Sequence, residues 1–288
     1  MSDLIYFNGK FLCTGRTVLA VNHPGFAYGD GLFETLKSCK GKIAALDLHL
    51  DRLFSSLKQL KFNPDFSKDT LKEITETLLK KNRLLKCDAY IKIIAARHSY
   101  SEKFRFDFTG HPDLAVIARR LVPYPEKMYT EGVKIISSSI ERPPAGNNIY
   151  RYKLLNYFEN IYAKNEAYAA GAEEALFMTR DRLVLECATS NIFAVKNGAV
   201  YTIPLNLNIL PGVTRQCVID LCRKLNINIY NRKLHYYNLL ESDEIFITNS
   251  IMEIMPVKAL DSHDLNKERI PGKITEVLIS EYKKQLYL

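Results

Sequence analysis

Turn-forming residues divide this chain into short apolar segments, and this division limits the folds open to it. Asn8-Gly9 separates the runs LIYF and KFL, and Asn197-Gly198 separates two further apolar runs, so each pair predicts a β-hairpin. The stretch PPAGNN at residues 143–148 excludes regular structure. Strands and helices interleave without the regular period of βαβ units and without a GxGxxG motif. We therefore expect two α+β domains and not a doubly wound sheet.

The first half of the chain is predicted to be a sheet covered by helices. Asp47 is placed to cap one amphipathic helix, and Ser67 is placed to cap a second one. Further strands are predicted at residues 32–39, 43–46, 90–96 and 114–118. A stretch with two prolines follows, and it predicts an N-terminal α+β domain at 1–120, an interdomain linker at 121–130 and a C-terminal domain at 131–288.

The second half is predicted to alternate short strands with three helices. Residues 154–170 have helical composition and are followed by Gly171, a common residue beyond a helix end. A second helix is predicted at about residues 214–225, and an ordinary start of this helix would have Thr214 as its cap. The remaining predicted elements are strands at 133–139, 175–179, 183–187, 192–195, 200–203, 227–234 and 244–248, and a helix at 271–286.

Composition and charge limit the classes of protein to which this chain can belong. Lys plus Arg number 40 against 32 for Asp plus Glu, and the net charge of +8 is spread along the chain, which favours anionic ligands. A basic binding protein without chemistry stays an alternative, but no nucleic-acid module is recognisable. The histidines form no HExxH pair, so we expect no metal. The absence of CxxC pairs, of a signal sequence and of eighteen successive apolar residues predicts a cytoplasmic protein that does not bind a membrane.

Three segments together look like parts of a pyridoxal phosphate site: Tyr150–Tyr157 (YRYKLLNY), Leu185–Phe193 (LECATSNIF) and Leu210–Arg215 (LPGVTR). Such a cofactor needs a lysine amine for its aldehyde, an acid for its ring nitrogen, and amides or cations for its phosphate. Lys153 lies among aromatic and apolar residues that could desolvate its amine and make it a nucleophile. The alternative is a lysine at the start of an amphipathic helix whose amine reaches water.

The other candidate residues also have two interpretations each. Glu186 follows the apolar run LVL and is either an acid for a pyridinium nitrogen or a surface charge at a strand end. Gly212, Val213 and Thr214 offer either amides for an anion or an ordinary helix start. Thr248-Asn249-Ser250 is either a binding segment or a turn. Arg52, on a helical wheel, faces away from the apolar stripe and is predicted to be solvated.

In their order and intervals, the motifs resemble the class IV, or fold type IV, pyridoxal phosphate enzymes. This family comprises branched-chain aminotransferases, D-amino acid aminotransferases and 4-amino-4-deoxychorismate lyases. The resemblance covers almost the whole chain and also includes FAYGDGLFET, HLDRL and TNSIMEIMPV. It implies a smaller N-terminal α/β sandwich-like domain, a larger C-terminal pseudo-barrel domain and a homodimer.

The resemblance also implies the roles of individual residues. Lys153 would bond the cofactor aldehyde and carry protons in catalysis, and Glu186 would contact the ring nitrogen. The phosphate would be held by Arg52, which overrides the wheel interpretation, and by Val213, Thr214 and Thr248. Leu210 would pack beneath the ring and Tyr157 would lie near its phenolic oxygen. Substrate would contact Tyr28, Phe33, Tyr90 and Asn249, with Tyr28 and Phe33 in part lining a pocket of the neighbouring subunit.

The substrate is less sharply indicated than the cofactor. Branched-chain enzymes tend to carry an arginine two residues after the tyrosine matched by Tyr90, whereas this chain has Lys92. D-amino acid enzymes usually carry an arginine and a histidine separated by one residue, whereas Arg97 and His98 are adjacent here. A D-amino acid aminotransferase is therefore the least favoured alternative. Aromatic residues at 28, 33 and 90 favour a bulky side chain. The leading hypothesis is amino transfer between a branched-chain or similar L-amino acid and 2-oxoglutarate, and the alternative is an aminodeoxychorismate lyase.

Overall fold

The computed structural model describes residues 3–15, 19–99, 110–146, 148–265 and 269–287. The chain forms two compact units. The first unit contains Met1–Val122 together with Tyr152–Tyr157, and the second contains Pro123–Arg151 and Phe158–Leu288. The chain therefore returns to the first unit for one short segment that includes Lys153. The sequence pattern carried no sign of this return.

The first unit is a six-stranded sheet with two long helices. The Asn8-Gly9 hairpin is confirmed, and both of its turn residues have positive φ. The strand order is β2-β1-β6-β5-β3-β4. The elements are β1 (Leu4–Phe7), β2 (Lys10–Cys13), α1 (Pro24–Ala27), β3 (Gly31–Cys39), β4 (Lys42–Ile43), α2 (Leu46–Gln59), α3 (Lys68–Lys81), β5 (Ala89–Ala96) and β6 (Asp113–Arg120).

Helices α2 and α3 cover one face of this sheet, because their apolar stripes pack on alternate residues of the strands. Ser67 caps α3 as predicted, since its Oγ accepts a hydrogen bond from the amide of Thr70. The prediction for Asp47 was wrong. Helix α2 begins at Leu46, its N-cap is Ala45, and Asp47 lies in the first helical turn. The left-handed backbone of Ala45 (φ +47°) ends the strand predicted at 43–46 early.

Residues 152–157 do not belong to a helix, which corrects the predicted helix at 154–170. This segment lies extended against the edge of β3: the amide of Phe33 donates to the carbonyl of Lys153, and the amide of Leu155 donates to the carbonyl of Gly31. These bonds replace those that a helix would form within the segment. The helix begins only at Phe158.

The second unit contains a nine-stranded sheet. The strand order is β12-β11-β10-β13-β14-β7-β8-β9, and β15 pairs with β14. The elements are α4 (Glu126–Glu131), β7 (Val133–Glu141), a 3-10 helix (Asn148–Arg151), α5 (Phe158–Ala169), β8 (Glu174–Met178), β9 (Val184–Cys187), β10 (Asn191–Lys196), β11 (Ala199–Thr202), α6 (Val213–Lys224), β12 (Ile229–Asn231), α7 (Tyr236–Leu240), β13 (Glu244–Asn249), β14 (Glu253–Leu260), β15 (His263–Asp264) and α8 (Lys273–Tyr287).

The curled sheet of this unit encloses an apolar core, and β8, β9 and β10 are almost wholly buried. The predicted strand at 227–234 is shorter than expected, because only Ile229–Asn231 pairs with β11. Each unit is a mixture of sheet and helix, so the predicted α+β class is confirmed. None of the helices in the described part of the chain is both long and apolar enough to cross a membrane.

Candidate active site

Lys153 is held in the first unit by the edge of β3. Its amine lies 4.5 Å from the centre of the Phe33 ring and 5.6 Å from that of Tyr157. The two rings meet edge to face with their centres 5.4 Å apart. The predicted aromatic surroundings of Lys153 are thus present. They are formed by Phe33 of β3 as well as by the lysine's neighbours in sequence.

Arg52 is not a solvated residue, so the helical-wheel prediction was wrong. Its guanidinium makes two hydrogen bonds to the buried carboxylate of Glu34, from Nε to Oε1 at 2.8 Å and from Nη2 to Oε2 at 2.6 Å. Nδ1 of His49 lies 2.7 Å from Oε2 of the same carboxylate. Burial would raise the pKa of Glu34, but attraction to Arg52 and hydrogen bonds from His49 and Arg52 prevail and lower it to about 2. Glu34 therefore fixes the direction of the Arg52 side chain.

The opposite face of the first sheet carries aromatic and cationic side chains. The Lys92 amine lies 4.5 Å from the centre of the Phe33 ring, which also contacts Lys153. Arg119 lies over the ring of Tyr90 at 4.9 Å. Burial, together with repulsion from Arg119, lowers the pKa of Lys92. This face therefore combines an apolar surface with two cations that would attract an anionic group.

Tyr28 follows the short helix α1 and is 57% exposed. His23 caps this helix, because its Nδ1 accepts a hydrogen bond from the amide of Gly25. Its Nε2 lies 2.7 Å from Oδ2 of Asp113, and Nδ1 of His98 lies 2.9 Å from the same oxygen. These three side chains have the spacing of a metal site. The cap argues for a hydrogen-bonded cluster instead, since a neutral ring that accepts at Nδ1 carries its proton at Nε2.

In the second unit, Glu186 at the end of β9 is 7% exposed, so the surface-charge interpretation was wrong. Its Oε1 accepts a hydrogen bond from Nη1 of Arg142 at 3.0 Å. Its Oε2 accepts bonds from the amide of Leu210 at 3.0 Å and from Nδ2 of Asn191 at 3.3 Å. Three donors on one carboxylate favour its ionised form. Glu186 is therefore a buried anion fixed by three hydrogen bonds, and its carboxylate could accept a hydrogen bond from a protonated ring nitrogen.

Leu210 and the start of α6 lie beside this carboxylate. Asn191 donates to the carbonyl of Leu210 at 3.0 Å, so one amide side chain links Glu186 with the LPGVTR segment. Gly212 is the N-cap of α6, and the prediction of Thr214 as the cap was wrong. A Cβ at Gly212 would overlap Oδ1 of Asn191. Within the described ranges no side chain caps α6, and its first turn carries no acidic residue, so its N-terminus suits an anion.

Thr248 and Asn249 lie at the end of β13. Thr248 is directly opposite Asn191 in the sheet and is 1% exposed. Among the residues that the structure describes, no partner is found for its buried Oγ1. Asn249 uses Oδ1 to accept from the amides of Ile251 and Met252, and so shapes the turn before β14. A buried hydroxyl without a partner is costly and is typical of a position that meets a ligand.

These contacts fit the parts of pyridoxal phosphate. The predicted residues fall into two groups by unit: Lys153, Arg52, Tyr157, Tyr28, Phe33 and Tyr90 belong to the first unit, and Glu186, Leu210, Val213, Thr214, Thr248 and Asn249 belong to the second. The open helix start and the unpartnered Thr248 hydroxyl suit a phosphate, and the Glu186 carboxylate suits a ring nitrogen. Sequence reasoning assigned no role to Glu34, Arg142 or Asn191. The partners of Glu34 and Arg142 lie 15 to 44 residues away along the chain, and Asn191 was treated only as part of its motif.

Comparison with known proteins gives a consistent result. The family model described as "Amino-transferase class IV" matches residues 31–260. A Methanocaldococcus jannaschii protein named "Putative branched-chain-amino-acid aminotransferase" is 33% identical over 279 residues, which cover 97% of this chain and 95% of that protein. The aminodeoxychorismate lyase of Bacillus subtilis is 30% identical over 283 residues, covering 98% and 94%. The D-alanine aminotransferase of Bacillus licheniformis is 28% identical over 272 residues, covering 94% and 93%.

Solved structures agree with this assignment and with the predicted fold type IV. The Escherichia coli branched-chain amino acid aminotransferase superposes with a TM-score of 0.92 and 25% identity, covering 99% of this chain and 95% of that one. The T.th. branched-chain amino acid aminotransferase, solved with pyridoxamine 5'-phosphate, gives 0.91 and 26%, covering 99% and 94%. The chain therefore belongs to the class IV aminotransferases, a family of pyridoxal phosphate dependent enzymes.

Proposed function

We propose that this protein transfers an amino group between a branched-chain or similar L-amino acid and 2-oxoglutarate with pyridoxal phosphate. The observation that carries the proposal is the link made by Asn191, which joins a buried carboxylate to an uncapped helix start. This pair of features suits the two ends of the cofactor, its ring nitrogen and its phosphate. Pyridoxal phosphate, when bound, withdraws electrons from the substrate Cα and accepts the amino group.

Lys153 would hold the cofactor through its aldehyde, and its amine would move protons at the substrate Cα. The Phe33 and Tyr157 rings cover its amine and reduce its access to water. The hydrogen bonds between the Lys153 segment and β3 orient the side chain before substrate arrives.

The start of α6, Thr248 and Arg52 would hold the phosphate. Val213 and Thr214 contribute amides of the first helical turn, where the helix dipole favours an anion. The Thr248 hydroxyl would donate to the phosphate and would so gain a partner, since none is found for it among the described residues. Arg52 contributes charge, and Glu34 holds its guanidinium in one orientation.

Tyr28, Phe33, Tyr90 and Asn249 contact the substrate. The aromatic side chains suit a branched or bulky substrate side chain. Lys92, on the Phe33 ring, pairs with the distal carboxylate of 2-oxoglutarate. One surface thereby accepts an apolar substrate in one half-reaction and a dicarboxylate in the other.

The test is an absorbance titration of the cofactor-loaded protein with L-leucine, L-glutamate and D-alanine in turn. We expect the L-amino acids to convert the bound cofactor from its aldehyde form to its amine form, and 2-oxoglutarate to reverse the change. Conversion by D-alanine alone would contradict the assigned handedness. No visible band after addition of the cofactor would favour a basic protein without this chemistry.

An aminodeoxychorismate lyase is the second candidate, and Lys92 is the observation that favours it. A desolvated ammonium beside Tyr90 and Arg119 suits a substrate with a ring and a carboxylate. The lyase would release pyruvate and 4-aminobenzoate from 4-amino-4-deoxychorismate. Release of pyruvate without any leucine transamination would reject our first proposal in favour of this one.

We propose further that the protein is a homodimer. Helix α5 exposes apolar side chains along one face, namely Phe158, Ile161, Tyr162 and Tyr168. Such a stripe on a helix is typical of an interface. Sedimentation equilibrium should give twice the chain mass, and Ile161→Glu should shift the protein toward monomer if this face is the contact.

A further inference from the structure

Arg142 is a buried cation that contacts the proposed ring-nitrogen acid. It lies directly after β7 and before the stretch predicted as irregular at 143–148, and it is 3% exposed. Its Nη1 donates to Glu186 at 3.0 Å, and its Nε donates to Glu159 at 2.6 Å. Its guanidinium carbon lies 3.6 Å from the centre of the Phe177 ring. Packing and two ion pairs therefore hold this charge in one place.

The effect of this charge on Glu186 follows from burial. A guanidinium stays protonated at any pH at which the protein is folded. A buried carboxylate is otherwise driven toward its neutral form, and a cation within hydrogen-bond distance opposes that drive. The amide of Leu210 and Nδ2 of Asn191 act in the same direction, but neither carries a charge.

We propose that Arg142 is a positioning residue that decides where the proton shared by Glu186 and the cofactor ring nitrogen resides. This inference rests on the proposed function. With Arg142 present, Glu186 stays a carboxylate and the proton stays on the ring nitrogen. Without Arg142, the proton moves from the nitrogen to a carboxylate oxygen of Glu186, so a charged pair becomes a neutral pair. The ring then withdraws electrons from the substrate Cα less strongly.

A purely structural role for Arg142 makes a different prediction. Arg142 also ties the end of β7 to α5 through Glu159, whose side chain is partly exposed. If that tie were its whole role, Glu159→Gln and Arg142→Met would have similar effects. If the charge acts on Glu186, only Arg142→Met should move the proton, because Glu159→Gln leaves the Arg142 to Glu186 contact in place. Glu159→Gln is therefore the matched control.

The first experiment uses the protein without cofactor. Glutamate carboxyl carbons are labelled with 13C, and the Glu186 resonance is assigned by its loss in Glu186→Gln. In Arg142→Met we expect Glu186 to take up a proton at a pH about one to three units higher than in the wild type. We expect no upward move in Glu159→Gln. An unchanged midpoint in Arg142→Met, or an equal rise in Glu159→Gln, would overturn the inference.

The second experiment uses protein loaded with cofactor that carries 15N in its ring. We expect the wild type and Glu159→Gln to give the resonance of a protonated ring nitrogen, and Arg142→Met to shift toward that of neutral pyridine. Arg142→Lys, which keeps the charge, should restore most of the wild-type signal and serves if the methionine variant folds poorly. A protonated ring in folded Arg142→Met would overturn the inference while the proposed function stands. Failure of wild-type protein to bind cofactor would overturn the proposed function, whereas the 13C titration would still report on Arg142 and Glu186.

Discussion

Replacement of Glu34 by glutamine tests the buried cluster that orients Arg52. The pKa of Glu34 is about 2 in the folded protein against an ordinary value of 4.5, because Arg52 and His49 outweigh the opposing effect of burial. At ~1.4 kcal/mol per pH unit, the gap of about 2.5 units corresponds to about 3 kcal/mol of stability. Since the folded pKa is the lower one, this contribution is complete well above pH 4.5 and is lost as the pH falls toward 2. Glu34→Gln should therefore lower the free energy of unfolding by about 3 kcal/mol at pH 7.

Urea unfolding followed by circular dichroism at pH 7 and pH 4 measures this effect. The difference between wild type and Glu34→Gln should be about 1 kcal/mol smaller at pH 4, because part of the ionic contribution of the wild type is already lost there. Asp47→Asn is the matched control, since Asp47 is an exposed carboxylate of the same region paired with Lys72. It should change stability by less than about 1 kcal/mol. A Glu34→Gln difference below about 1 kcal/mol, or one equal at both pH values, would refute the assigned role of the cluster.

Three further substitutions test the proposed contacts. Thr248→Val should weaken cofactor binding about tenfold or more in an equilibrium titration, because it would remove a hydrogen bond to a charged phosphate. Thr275→Val should leave binding unchanged, although Thr275 also has a buried hydroxyl for which the described part of the chain offers no partner. Gly212→Ala should lower the free energy of unfolding by about 1–3 kcal/mol in thermal unfolding, since the added methyl group displaces the Asn191 side chain. A variant as stable as the wild type would show that the methyl group does not collide with Asn191. In steady-state assays, Lys92→Met should raise the KM for 2-oxoglutarate and leave the KM for leucine nearly unchanged. Equal changes in both KM values would argue against a contact between Lys92 and the distal carboxylate of 2-oxoglutarate.

Local features of the fold were predictable where neighbouring residues decide them. The Asn8-Gly9 turn needs residues that accept positive φ, and the Ser67 cap needs only a hydroxyl and the amide of Thr70. Both signals are complete within four residues. Asp47 and Thr214 carried the same kind of signal, but Ala45 and Gly212 occupy the cap positions instead. A polar residue near a helix start therefore indicates the helix better than it indicates the cap.

The features that were missed depend on partners far away in the chain. Residues 153–155 have helical composition, yet their backbone pairs with β3, more than a hundred residues earlier. Arg52 faces away from the apolar stripe of α2 and is nevertheless partly buried, because it pairs with the carboxylate of Glu34. The spacing of apolar residues along a helix does not reveal such an ion pair. The candidate residues themselves were found because motifs preserve residue type and order. Of the residues that support them, Arg142 stands outside those motifs, and Asn191 was treated only as part of one motif.

The central claim is that Lys153 is the amine that holds the cofactor. Borohydride reduction of the cofactor-loaded protein, followed by proteolysis and mass spectrometry, locates the lysine to which the cofactor is bonded. We expect one modified peptide, labelled at Lys153, and no labelled peptide in Lys153→Ala. A label on another lysine of the wild type, or a label retained in Lys153→Ala, would contradict it.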